Sequence, residues 1–304
     1  MRARWLGLLA VGLALAARRR GGACRIGGIS RVVADLDRAV RFYRDGLGFR
    51  CVASGPADPA LPALLGIPGA SATELVMRLG AEEMTLVRFE PAGAPYPAES
   101  RSSDCWFQHL AIVVDDMEAA YYRLSRQEFH AISINGPERL PPSNGGVVAF
   151  KFRDPDGHPL ELIQFPPGQG RRVWHEPGPG AFPGPFLGID HSAMSVGQTA
   201  RNLRFYRRLG FQAGASSLND SPEQSRLDDV VAARVRVTGL RPRAATGPGL
   251  ELLGYVPAGR PAPDHAANDT VTDWVTVLTT SLPRGQRLVK RDPDGHRMLL
   301  VGTH

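Results

Sequence analysis

Short apolar or alternating runs dominate this chain, and only a few stretches show helical spacing. Residues 25–33 read as a strand. Leu36, Val40, Tyr43 and Leu47 recur at helical spacing and stop at Gly48, which predicts a helix over 36–47. Strands follow around 74–79, 84–89 and 109–114, then a helix over 117–124. Strands over 147–152 and 159–165 are joined at the Asp156-Gly157 turn, a hairpin signal. The same order then returns: a strand over 189–196, a helix over 200–209, strands over 233–240 and 250–255, and a strand opening at 273–278. There the next Asp-Gly turn, Asp294-Gly295, arrives almost at once, so this last unit is expected to have lost its helix.

The repetition extends to motifs. Phe42-Tyr43-Arg44-Asp45-Gly46-Leu47-Gly48-Phe49 returns as Phe205-Tyr206-Arg207-Arg208-Leu209-Gly210-Phe211, and Asp154-Pro155-Asp156-Gly157-His158 as Asp292-Pro293-Asp294-Gly295-His296. The organisation expected is a leader over 1–24, an N-terminal domain of two modules over 25–168, a Gly/Pro-rich linker over 169–185, and a C-terminal domain of two modules over 186–304, the last degenerate. With these motifs the chain resembles the vicinal oxygen chelate superfamily, which includes glyoxalase I, extradiol dioxygenases, methylmalonyl-CoA epimerase and bleomycin-resistance proteins. The resemblance implies an α+β fold of four βαβββ-type modules, the fourth truncated, forming two curved-sheet clefts. Both motifs read as structural: one closes a hairpin and the other docks a helix on a sheet. His158 and His296 are therefore assigned to the fold.

Chemistry enters through a second repeat, Leu160-Glu161-Leu162-Ile163 and Leu250-Glu251-Leu252-Leu253. A carboxylate inside an apolar strand is costly unless it is paired or binds a metal. In the superfamily resembled, each module offers one ligand from its first strand and one from its last. His109 precedes Val114 by the same interval as His191 precedes Val196 and Gly28 precedes Val33. Thr85, Glu161 and Glu251 share one interval before Phe89, Phe165 and Tyr255, and Leu299 holds that place in the fourth module, with Asp273 or Thr272 as its first-strand position. If modules pair one-two and three-four, each cleft has half a ligand set. If they pair two-three and one-four, one cleft has His109, Glu161, His191 and Glu251 and the other almost nothing. The second pairing is preferred, because four complementary ligands rarely fall in two modules by chance. Two imidazoles and two carboxylates suit Ni, Co, Zn, Mn or Fe and leave two octahedral positions for vicinal substrate oxygens. The alternative for the histidines is that they are satisfied core residues.

The function the resemblance implies is that of a lyase or isomerase, lactoylglutathione-lyase-like or epimerase-like. The metal would act as a Lewis acid, and Glu161 or Glu251 would move a proton at carbon next to a carbonyl. One alternative is an iron-dependent ring-cleaving dioxygenase, which needs two histidines and one carboxylate; the extra carboxylate argues against it, and His130, His175 and His265 have no assigned place. Another is a metal-free binding protein of bleomycin-resistance type, its cleft lined by Trp106, Phe107 and Trp174. Each reading takes a small-molecule substrate or ligand and a monomer or homodimer.

Composition narrows this further. The net charge is +6, but the arginines are scattered and Lys151 and Lys290 are the only lysines, so the concentrated basic face that nucleic acid needs is missing. Cys24, Cys51 and Cys105 make no CxxC pair, which argues against zinc-thiolate and disulfide frameworks; a Cys51–Cys105 bond is the one alternative left for an oxidising compartment. Arg2 and Arg4, the apolar run Leu6 to Ala17 and Ala14-Leu15-Ala16 read as an export signal too short to span a membrane. A periplasmic or secreted protein with no integral span in its mature form is expected. Arg18-Arg19-Arg20 keeps a cytoplasmic alternative. A thiol-adduct substrate fits the periplasm poorly, which leaves an epimerase-like substrate open.

Overall fold

The computed structural model describes residues 23–176, 184–242 and 247–304. The expected leader before residue 23 and the linker residues 177–183 lie outside them. The first module contains β1 (Cys24–Val32), α1 (Leu36–Arg41), β2 (Arg50–Pro56), α2 (Leu61–Leu64), β3 (Ser71–Leu79) and β4 (Glu82–Glu90). The Asp35 carboxylate caps α1 by accepting from the Arg38 N–H, and a π-helical turn over Phe42–Gly46 extends it. The second module contains β5 (Gln108–Val114), α3 (Met117–Leu124), β6 (His130–Ala131), β7 (Glu138–Arg139), β8 (Val148–Arg153) and β9 (Pro159–Gln164). The third contains β10 (Phe186–Ser195), α4 (Thr199–Arg208), β11 (Phe211–Asn219), α5 (Pro222–Asp228), β12 (Val235–Pro242) and β13 (Gly249–Tyr255). The fourth keeps β14 (Asp273–Thr279), β15 (Arg287–Arg291) and β16 (Arg297–Gly302), with no helix among its described residues. Strands β2 and β11 carry no apolar alternation because both are exposed sheet edges.

These strands form two curved sheets. One has the order β15-β16-β14-β1-β4-β3-β2; the other runs β11-β12-β13-β10-β5-β9-β8-β6, with β7 on β8. Module one therefore shares a sheet with four, and two with three. Strand alternation sorts the Leu-Glu-Leu segments. Leu160, Leu162, Leu250 and Leu252 join a core that draws on all four modules, with Ile29, Leu86, Val275 and Met298. Glu161 and Glu251 face the opposite side.

The two repeated motifs hold each other. Within the first half the Tyr43 hydroxyl donates to Asp154 Oδ2 (2.8 Å), while Asp154 Oδ1 accepts the N–H groups of Asp156 and His158. Tyr206 does the same with Asp292, which caps Asp294 and His296. His158 Nε2 bonds the Thr270 carbonyl and His296 Nε2 the Ser195 carbonyl, so both rings are occupied by the fold.

The free face of the seven-stranded sheet is plugged. Val32, Val87, Phe89, Trp274 and Leu299 pack there on Ala57, Leu61 and Leu65, from α2 and its flanks. Register corrects the expected fourth-module position. In the other sheet each histidine lies two residues before the partner of its glutamate, Ala111↔Glu161 and Ala193↔Glu251. Leu299 pairs with Thr276, so the equivalent place is Trp274, not Asp273 or Thr272. The three cysteines are free, Cys51 exposed and Cys105 buried, so they form no Cys51–Cys105 bond. No helix among the described residues is long and apolar enough to cross a membrane.

Candidate metal centre

Strands β5 and β10 are antiparallel neighbours at the middle of the nine-stranded sheet. The pairs Ala193↔His109 and His191↔Ala111 set the two histidines diagonally on one face, with ring centroids 5.7 Å apart. Strand β9 flanks β5 and brings Glu161; β13 flanks β10 and brings Glu251. Glu161 Oε2 lies 3.1 Å from His109 Nε2 and 3.9 Å from His191 Nε2. The ligand atoms of His109, Glu161 and His191 all lie within 4.8 Å of one another. Glu251 Oε2 is 3.4 Å from His191 Nε2 but outside that trio, and 29% of its side chain is exposed.

A β-bulge braces the second histidine. Register slips between Ile189 and His191, so Asp190 is the extra residue. Its Oδ2 accepts from His191 Nδ1–H (3.0 Å), which leaves Nε2 facing the cavity as the nitrogen that would bind a metal on losing its proton. Asp190 Oδ1 accepts from Trp174 Nε1–H (3.2 Å), and the Arg171 guanidinium covers that indole. The linker segment thus buttresses His191. The matching bulge in β1 falls between Ile26 and Gly28, where neither Gly27 nor Gly28 can supply a ligand side chain.

Electrostatics separate the four residues. Burial pushes His109 down to about 4, although Glu161 opposes it. Burial also disfavours charge on His191, but Glu251, Asp190 and Glu161 outweigh it and push that ring up to about 9. Glu161 is held below the usual carboxylate range despite its burial, by His109, Lys151 and His191. Burial raises Glu251.

The residues present fit a divalent ion. Among the described residues, both ring nitrogens of His109 and Nε2 of His191 are buried without an aligned hydrogen bond, although carboxylate oxygens lie 3.1 Å from His109 Nε2 and 3.4 Å from His191 Nε2. Metal bonds of about 2.0–2.2 Å place neighbouring ligand atoms roughly 3–4 Å apart, the spacing that Glu161 has to both histidines. Among the described residues this is the one group of three or more potential ligands that converges in this way.

The four residues line a cavity of about 360 Å³ with apolar walls from Leu140, Val147, Ile163, Leu227 and Leu253. Trp106, Phe107 and Trp174, expected to line a metal-free cleft, do not line this cavity, whose aromatic side chains are Phe165 and Tyr255. Phe107 packs edge-on against the His109 ring, Trp106 lies under Arg260, and Trp174 serves Asp190. His130 and His175 are exposed, and His265 contacts Arg297. The sequence reading missed Asp190 and a buried network in which Asp228 receives Lys151 (2.6 Å), Tyr255 (2.8 Å) and Gln224 (2.7 Å). The signals were present: an Asp-His dipeptide, a lysine in an arginine-rich chain, and a tyrosine where the repeats have phenylalanine.

Asp190→Ala is expected to weaken divalent-metal affinity about 10–100-fold, the usual effect of losing the carboxylate behind a ligating imidazole. Competition with a chelating dye measures this, and unchanged affinity would remove Asp190 from the site.

Comparison with known proteins agrees with this architecture. The family model described as Glyoxalase/Bleomycin resistance protein/Dioxygenase superfamily matches residues 25–162. A protein of Escherichia coli strain K12 named YaeR is 39% identical over 72 residues, 23% of this chain and 52% of that protein, so the match spans about half its length. A lactoylglutathione lyase of Haemophilus influenzae is 29% identical over 136 residues, 43% of this chain and 86% of that protein. The structure of a glyoxalase I variant from Zea mays superposes with a TM-score of 0.59 at 17% identity, covering 92% of both chains, which shows a shared fold. Residues 25–162 carry a domain of the glyoxalase/bleomycin resistance protein/dioxygenase superfamily, and 92% of the chain shares the fold of that glyoxalase I structure.

Proposed function

We propose that this protein is a metal-dependent lyase or isomerase of lactoylglutathione-lyase-like or epimerase-like type, which moves a proton at carbon beside a carbonyl. The observation that carries the reading is the arrangement of the carboxylates. Glu161 lies against both histidines, whereas Glu251 stands outside the trio and reaches the cavity. His109, Glu161 and His191 would hold a divalent ion (Ni, Co, Zn, Mn or Fe), with Glu251 beside it, and the ion would supply Lewis acidity to two vicinal substrate oxygens. Glu251 is the base: it takes the proton from carbon and returns it to the same or the neighbouring carbon. Asp190 keeps the His191 ring in one tautomer during this transfer.

A second reading has a specific observation in its favour. Two histidines and one carboxylate in the tight trio are the ligand set of iron-dependent oxygenases, including ring-cleaving ones. One experiment separates the two. Protein loaded with each of the five metals is incubated in D2O with the hemithioacetal of methylglyoxal and glutathione, and with 2-substituted 3-oxo thioesters. Deuterium entering carbon is followed by NMR, and oxygen uptake with catechol is recorded on the iron-loaded form. Exchange without oxygen uptake supports the lyase or isomerase. Ring cleavage with oxygen uptake and no exchange replaces it with the dioxygenase.

A further inference from the structure

The polar wall of the metal cavity has no counterpart in the plugged cleft, and the repeats within the chain serve as the control. Lys151 pairs with Glu161 across β8 and β9. The residues at the same place in the other modules are Val76 opposite Thr85, Gly239 opposite Glu251 and Val289 opposite Leu299. Tyr255 stands where the first module has Phe89. Helix α5 turns Gln224 and Asp228 inward, whereas α2, its counterpart over the other sheet, contributes Leu61 and is followed by Leu65. The fold therefore accepts apolar residues at each of these positions.

A buried ion pair seldom stabilises a protein more than apolar residues of similar volume. The Lys151 and Asp228 side chains are 4% and 0% exposed, so their presence calls for a reason other than folding. The surroundings supply one. Asp228 takes the Tyr255 hydroxyl and the Gln224 amide as well as the ammonium, so three donors share its charge. Gln224 is fixed in turn by Asn219, and Asn219 by Asn144. The Lys151 ammonium has three N–H groups and, among the described residues, Asp228 as its one hydrogen-bond partner, which leaves two for a ligand. It borders the cavity together with Glu161 and Glu251. A compact ammonium suits an enclosed site better than the broad guanidinium this chain uses elsewhere.

We propose that Lys151 binds an anionic oxygen of the substrate, and that the substrate is a vicinal-dioxygen compound carrying a carboxylate away from its chelating pair. Asp228, Tyr255 and Gln224 are positioning residues that hold the ammonium toward the cavity. The inference rests on the metal reading of the cavity and adds a third point of recognition to it.

The test uses the full chain loaded with Co2+ and two probe pairs: 3,4-dihydroxybenzoate and its methyl ester, and 3,4-dihydroxyphenylacetate and its methyl ester. Within each pair the chelating oxygens are the same and only the charge differs. Visible absorption of cobalt gives each Kd. The wild type is expected to bind at least one acid about tenfold or more tightly than its ester, the scale of one charge-assisted hydrogen bond. Lys151→Met is expected to lose that preference while keeping the affinity for the ester. If Lys151→Met does not fold, the double variant Lys151→Met with Asp228→Asn removes both charges and carries the same comparison. Equal Kd values for acid and ester in the wild type, or a preference that survives in the variant, overturn the inference and leave the metal reading standing. Failure of the wild type to take up cobalt sinks both.

Discussion

Glu161→Ala is expected to yield a folded protein that has lost its divalent metal, with affinity more than about 100-fold below wild type. That exceeds the roughly 10–100-fold cost of losing an outer partner such as Asp190, because Glu161 lies against both histidines. Removing this carboxylate strands no charge in the metal-free fold: burial pushes His109 down to about 4, Lys151 keeps Asp228, and His191 keeps Asp190 and Glu251. Glu251→Ala should behave differently. The tight trio remains, so metal affinity should fall by no more than about tenfold, while proton exchange at carbon should fall by about 100-fold or more with the base removed. Elemental analysis of protein purified without chelator gives the metal content. Thermal unfolding with and without added metal gives a second readout, because a ligand at about 100 times its Kd stabilises by about 2.7 kcal/mol and only a binding protein shows the shift. Full metal content in Glu161→Ala rejects the site. Equal losses in both variants would mean that Glu251 is a ligand of the same rank, and the base would have to be sought elsewhere.

Much of this centre was legible because strand alternation leaves few options. A glutamate between leucines in a strand must face away from the leucine-filled core, and Glu161 and Glu251 do. Counting from Val114 and Val196 located His109 and His191, because β5 and β10 run without a slip in register against their parallel partners β9 and β13. The same count failed in the fourth module. No histidine or glutamate remains there to anchor it, and the offset pointed to Asp273 or Thr272 where the sheet places Trp274. The one-residue bulge that brings Asp190 alongside His191 leaves no trace in an apolar pattern. Lys151 stood out by its residue type, but its pairing with Asp228 did not, for a related reason. Asp228 and Gln224 come from a short helix, where periodicity carries little information, and nothing in the sequence brings that helix to β8 and β13. The aromatic cleft failed because bulky rings near a histidine in sequence can pack behind it as readily as in front, as Phe107 does.

Asp273→Ala is expected to destabilise the protein by about 3–5 kcal/mol while leaving its metal content intact. Arg31 is 1% exposed. Its Nη2 donates to Asp273 Oδ2 (2.7 Å) and its Nε to Oδ1 (3.1 Å), while Nη1 donates to the Tyr43 hydroxyl (3.0 Å). Asp154 of the second module lies 4.0 Å away. Three modules thus meet on one guanidinium, and removing Asp273 strands a buried charge. The other sheet again provides the control. Position for position, Met194 stands where Arg31 does and Gln108 where Asp273 does, and Tyr206 still bonds Asp292 without a guanidinium nearby. A neutral pair therefore suffices for the fold at this junction. The double replacement Arg31→Met with Asp273→Gln copies that pair and should recover most of the stability lost by Asp273→Ala. Urea unfolding followed by tryptophan fluorescence measures both variants. A single-variant loss below about 1 kcal/mol would show that the pair is solvated rather than buried. A double variant as unstable as the single one would show that the charges themselves, and not merely their mutual neutralisation, hold modules one, two and four together.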